Sequence, residues 1–70
     1  MPQAEPMITT KDNFRLKICF WVNDYDQRPY YSHALFENEK AVMVLPYLNK
    51  PLSIEQMIGM YRARQVSNRH

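Results

Sequence analysis

The chain has 70 residues, nine basic and seven acidic side chains, a net charge of +2, one cysteine and one glycine. A length of this order makes one domain. The lone thiol, Cys19, excludes an internal disulfide and every zinc site built on two thiolates, and a single glycine excludes a phosphate-cradling loop.

Residues 1–12 hold Pro2 and Pro6 among polar residues with no periodicity, and they read as a flexible arm. They lack the basic-then-apolar order of a secretory signal. No apolar run reaches the roughly 18 residues that a membrane span requires. The expected compartment is therefore the cytoplasm, which suits an unpaired thiol.

Residues 13–67 form the expected domain. From Phe14 to Val22 the chain alternates, with Phe14, Leu16, Ile18, Phe20 and Val22 on one side and Arg15, Lys17, Cys19 and Trp21 on the other. Such a period of two predicts a half-buried strand. Asn23 to Pro29 carries Asp24, Asp26 and Pro29 and reads as a loop. Tyr30 to Phe36 is a second, aromatic-rich strand. Glu37 to Lys40 is a tight turn, and Ala41 to Leu45 a Val-rich third strand. Pro46 has no N–H for a ladder, so that strand ends near it or lies on an edge.

Ser53 and Gln56 have the spacing of a helix capping box, with Leu52 and Met57 placed as a hydrophobic staple. Ile54, Met57, Ile58 and Tyr61 share one helical face. Arg62 and Arg64 near the far end complement the helix dipole. The helix is expected to reach about Gln65, with residues 68–70 frayed. The fold class is α+β: a three-stranded antiparallel sheet with one C-terminal helix packed on one face, in the order β-β-β-α.

Pairing Arg15 with Glu37 by charge sets an expected register. Leu16 then meets Phe36, Ile18 meets Ala34 and Val22 meets Tyr30 on the helix side. Lys17 meets Leu35, Cys19 meets His33 and Trp21 meets Tyr31 on the other. A turn at Asn38-Glu39 sets Phe36 beside Ala41 and Leu35 beside Val42, pointing Met43 and Leu45 inward and Val42 and Val44 outward. One helix covers one face. The outer face is then expected to present Cys19, Trp21, Tyr31, Leu35, Val42 and Val44, and a contiguous apolar patch marks an interaction surface. Two alternatives stand beside this: the N-terminal arm folds over the face, or the third strand is out of register by one.

Other constellations are weaker. Cys19 beside His33 is the minimum for a thiol nucleophile, but no oxyanion hole or cleft accompanies it. Asp24 and Asp26 lack the further oxygens and the glycine of a calcium loop, so they read as turn chemistry and no metal or other cofactor is expected. Arg15, Lys17 and Trp21 interleave base and aromatic on one strand, as single-strand nucleic-acid binders do. The segment from Tyr61 to His70 adds three arginines, Arg62 and Arg64 among them, and no acid. The β-β-β-α order resembles in layout the three-stranded DNA-reading domains of integrases, without a shared motif.

The sequence thus points to a non-catalytic interaction module. By analogy of size and type, the expectation is a regulator or inhibitor of the kind carried by phages or mobile elements, binding a protein partner or a second copy of itself. Neither a membrane nor a small-molecule substrate is expected. The alternative is a small nucleic-acid-binding module using Arg15, Lys17, Trp21, Arg62 and Arg64.

Overall fold

Two hairpin turns and one longer loop dictate the topology. Asp12 (φ 54°) takes the left-handed backbone at the first position of the Asp12-Asn13 turn. Asn38 (φ 50°) and Glu39 (φ 66°) take it at both positions of theirs. Positive φ at both central residues is the type I′ geometry, whose twist matches that of paired strands. The computed structural model describes residues 5–67. It contains β1 (Met7–Lys11), β2 (Phe14–Val22), β3 (Pro29–Glu37), β4 (Lys40–Leu48) and α1 (Ile54–Ser67). The strands form one sheet in the order β1-β2-β3-β4, and every neighbouring pair is antiparallel.

The class is α+β with a C-terminal helix, as expected, but the sheet has four strands where three were predicted. The additional strand lies in the supposed flexible arm: Met7 to Lys11 pairs along β2, from Met7 opposite Ile18 to Lys11 opposite Phe14. All five of its residues are exposed, so no burial alternation marks it. The arm extends the sheet sideways, and its described part does not fold across the outer face. The expected fraying of residues 68–70 lies outside the described residues.

The predicted register is also corrected. Phe14, not Arg15, stands opposite Glu37, which sets Leu16 against Leu35, Ile18 against His33 and Phe20 against Tyr31. The charge argument chose the wrong acid. Arg15 reaches Glu39 in the turn at 2.8 Å, and its guanidinium lies over the Phe36 ring, 5.0 Å from the centroid. Glu37 instead accepts the Tyr61 hydroxyl at 3.0 Å. Because side chains alternate, this one-residue slip turns all of β3 over. Leu35, His33 and Tyr31 face the helix, while Phe36, Ala34 and Tyr30 face away.

The turn at Asn38-Glu39 does set Phe36 beside Ala41. A bulge then intervenes, and Leu35 meets Met43 rather than Val42. The extra residue bends the strand and turns Val42 toward the core. Beyond the bulge, Met43 and Leu45 point inward and Val44 outward, as expected. A second irregularity lies between the Tyr31 and His33 pairings, near Pro46. As the missing N–H requires, Pro46 sits in an edge strand.

The core lies between the inner sheet face and the helix: Phe14, Leu16, Ile18, Leu35, Met43, Ile54, Met57 and Ile58, with Tyr31, Val42, Leu45, Leu52 and Tyr61 packed around it. The helix begins where the sequence says. The Gln56 amide donates to Ser53 Oγ at 3.1 Å, and the Ser53 amide donates to Gln56 Oε1 at 2.9 Å. This closes the capping box and satisfies two otherwise orphaned amides. Lys11 meets Glu55 at 3.6 Å across the surface, linking β1 to α1. The shortest axis is 17 Å, which fits a sheet and one layer of helix about 10 Å across. Among the described residues no helix is long and apolar enough to cross a membrane.

Gly59 is exposed within α1, and a Cβ added there meets nothing within 4 Å. A helical glycine costs about 0.8–1 kcal/mol relative to alanine. Gly59→Ala should therefore raise the unfolding free energy by about 0.5–1 kcal/mol, measured by urea denaturation with an unchanged m-value. A loss of stability would mean that the helix does not bear on the sheet as described.

Candidate interaction surface

The outer sheet face is built from the residues that β2 and its neighbours turn away from α1. In the observed register β1 contributes Ile8 and Thr10, opposite Lys17 and Arg15. From β2 come Arg15, Lys17, Cys19 and Trp21, paired in turn with Phe36, Ala34, Ser32 and Tyr30 of β3. Ala41 stands beside Phe36, and Val44 beside Ala34, from β4.

One end of this face is aromatic. Trp21 and Tyr30 are direct cross-strand partners, and their rings stack at 6.0 Å with 24° between planes. Tyr47 stands edge-on to both, 5.9 Å from Trp21 at 78° and 6.4 Å from Tyr30 at 89°. Offset-stacked and edge-on arrangements are the favoured ones, worth about 0.5–1.5 kcal/mol per pair beyond area burial. Three strands thus converge on one cluster.

The neighbouring loop holds that cluster in place. Tyr30 donates its hydroxyl to Asp26 Oδ2 at 2.7 Å. The Arg28 amide donates to Asp26 Oδ1 at 3.1 Å. The Tyr25 amide donates to Asn23 Oδ1 at 2.7 Å, an Asx turn, and Gln27 Nε2 donates to the Asp24 carbonyl at 2.9 Å. The Tyr30 hydroxyl and the Arg28 amide hold the Asp26 carboxyl below its ordinary pKa, and the same contact raises that of the Tyr30 hydroxyl. Asn49 Nδ2 donates to the Pro29 carbonyl at 3.0 Å and ties the end of β4 to the start of β3. The Asp26 carboxylate is thereby spent on loop structure. Among the described residues no group of three or more His, Cys, Asp or Glu converges as a metal site.

Of the predicted surface residues, the structure brings Cys19, Trp21 and Val44 together on the outer face. The other three are corrections. Leu35 is fully buried at 0% exposure, while Tyr31 and Val42 pack against the core. The slip of β3 moves Leu35 and Tyr31, and the bulge moves Val42. The same slip separates Cys19 from His33, which was expected opposite it. Cys19 faces Ser32 on the outer side, and His33 lies inside opposite Ile18, so no thiol–imidazole pair forms.

The basic set also divides. Arg15, Lys17 and Trp21 share the outer face, but Arg62 lies on α1 with its guanidinium 5.7 Å from the Phe14 ring, on the other layer. Arg64 is likewise on α1. Arg15 is already occupied by Phe36 and Glu39. A recess of about 290 Å³ lies at the hairpin end, lined mainly by the turn residues Asp12, Asn13, Asn38 and Glu39 with Thr10 and Arg15. Phe14 is the one apolar side chain among its seven lining residues, whereas small-molecule sites are lined predominantly by hydrophobic and aromatic side chains.

The register moves Tyr30 and Phe36 onto the outer face, and Tyr47 joins them because β4 continues past Pro46 to Leu48. The alternation of β3 carries little phase information, since Tyr30 and Tyr31 are adjacent and both amphipathic. The signal for Tyr47 is the Pro-aromatic pair at a strand edge. Comparison with protein families, with curated proteins and with solved structures finds no match.

The two faces are separable by substitution. Val44 is 55% exposed, whereas Leu35 is fully buried. Val44→Asp should leave the far-UV circular dichroism intact, and Leu35→Asp should unfold the chain, because an unpaired charge cannot remain in the core. Leu35→Ala should cost about 2–5 kcal/mol. A folded Leu35→Asp protein would return β3 to the opposite phase.

Proposed function

We propose that the chain is a non-catalytic protein-interaction module that binds a protein partner through the outer sheet face, with Trp21, Tyr30 and Tyr47 at the centre of the contact. The observation that carries this reading is the exposure of Tyr47, 71%, within a cluster already fixed by its neighbours. Trp and Tyr dominate binding hot spots because they bury large areas while ordering few torsions. Here the ordering is largely complete before contact: Tyr30 is held by Asp26, and Tyr47 abuts two rings. Ile8 and Val44 extend the apolar area beyond the cluster. A module of this kind acts by occupying a partner's surface, as regulators and inhibitors do.

Charge argues for a protein rather than a nucleic acid. The outer face offers Arg15 and Lys17, and Glu39 offsets the first. With two phosphate contacts, the salt slope for a single strand is about −1.4, too shallow a term to sustain tight electrostatic binding.

The test uses the native chain, Val44→Asp and Tyr47→Asp as baits in cell lysate at physiological salt, with and without nuclease. The expected result is a protein retained by the native chain in the presence of nuclease and bound at least about 30-fold more weakly by Tyr47→Asp, the loss of a hot spot of about 2 kcal/mol. Equal retention by folded Tyr47→Asp would remove the aromatic cluster from the contact. Release by nuclease, with oligonucleotide binding that Lys17→Ala weakens, would make the face a nucleic-acid platform.

A further inference from the structure

Among the described residues His33 is the buried polar residue of the core, with 0% exposure. Its Nε2 accepts the backbone amide of Leu52 at 2.9 Å. Leu52 immediately precedes the N-cap Ser53, so this bond fixes the β4–α1 connection onto the sheet. An accepting Nε2 carries no hydrogen, so the proton of the neutral ring sits on Nδ1. Nδ1 is buried without a hydrogen-bond partner.

We propose that His33 is an acid-sensitive latch, which when neutral holds the start of α1 on the sheet through the Leu52 amide and when protonated releases it. In the imidazolium both ring nitrogens are donors. The Nε2–H then confronts the Leu52 N–H, donor against donor, and the hydrogen bond is lost. The new charge also has no acid to pair with. Opposite His33 stand Ile18 on β2 and Leu45 on β4. From α1 the buried residues Ile54, Met57 and Ile58 are apolar. Glu55 is exposed and paired with Lys11, and Lys50 of the connection is exposed. On β3 itself Tyr31 shares the inner face. Glu37 lies four residues along, about 13 Å away at the rise of a strand, and is bonded to Tyr61.

Burial lowers the His33 pKa below its ordinary 6.5, and the nearby backbone carbonyl of Tyr31, outside hydrogen-bond geometry, opposes this in part. Between the folded and unfolded pKa values the released state binds more protons, so stability falls as the pH falls. The loss begins near pH 6.5, where the unconstrained imidazole titrates. Ordinary carboxylates titrate near 4, so the interval from about pH 7 to 5 reports on histidine.

The test is amide hydrogen exchange and imidazole NMR on the full chain between pH 7.5 and 5, with His70→Gln used to assign the two histidines. After correction for intrinsic rates, α1 amides should lose protection by up to about tenfold at pH 5.5, one unit below the unconstrained pKa, while central amides of β2 and β3 lose less. His33 should titrate below its ordinary 6.5. His33→Gln, whose Oε1 can still accept the Leu52 amide, should abolish the pH dependence in this interval. The proposal is overturned if His33 titrates at 6.5 or above, if α1 and the sheet lose protection equally, or if a folded His33→Gln protein keeps the full dependence. Should that variant not fold, the titration and exchange of the native chain decide.

Discussion

Both faces of this protein depend on one backbone pairing, Phe14 opposite Glu37. In a strand with a side-chain period of two, a register has only two outcomes, and a slip of one residue exchanges them. With Phe14 at Glu37, Leu35 fills the core and Tyr30 joins Trp21 outside. With Arg15 at Glu37, Leu35 would be exposed and Tyr30 buried beneath a helix whose inner side is Ile54, Met57 and Ile58. The observed phase gives the core its aliphatic residues and leaves the rings with polar tips near water.

Several contacts that favour this phase converge on Glu37. Its carboxylate accepts the Tyr61 hydroxyl from α1 and lies 3.5 Å from Asn13 Nδ2 in the first turn. Tyr61 in turn meets Phe14 edge-on at 6.1 Å, and burial together with Glu37 raises the pKa of its hydroxyl. Helix, first hairpin and third strand therefore meet around one half-buried carboxylate. Arg15 is left to the turn residue Glu39 and to Phe36. These contacts are individually modest, but they act together in selecting between two registers that backbone hydrogen bonding alone would hardly distinguish.

The parts legible in the sequence are those whose physics is local. The alternation of Phe14 to Val22, the reciprocal pair of Ser53 and Gln56, and the turn at Asn38-Glu39 each depend on residues within a few positions of one another. The missed strand β1 has no buried side to alternate against; its local signals are the β-branched Ile8, Thr9 and Thr10 and the Asp12-Asn13 pair. The register of β3 is a non-local quantity. It was inferred from one ion pair, and the basic residue had two acids within reach, Glu37 and Glu39. The bulge that turns Val42 inward leaves no mark in a Val-rich stretch. Of the outer sheet face, Cys19, Trp21 and Val44 are therefore legible in the sequence, while Tyr30, Phe36 and Tyr47 depend on contacts between distant strands.

The size of the core links folding to the uncovered face. Among the described residues eight hydrophobic side chains are buried, and a chain of this length hides only about 60% of its unfolded surface. The margin against conformational entropy is then small. Inside that small core sits an imidazole with one unsatisfied nitrogen, while Ile8, Val44 and Tyr47 remain in water on the other side of the same sheet. A helix on the outer face would have buried those residues and supported the fold; the described chain has none to spare. A partner that covers them binds the folded state and not the unfolded one, so it stabilises the fold by mass action. The exposed face lowers the stability of the isolated chain, and a partner bound there, as proposed, would raise it. Both consequences follow from placing four strands beneath one helix.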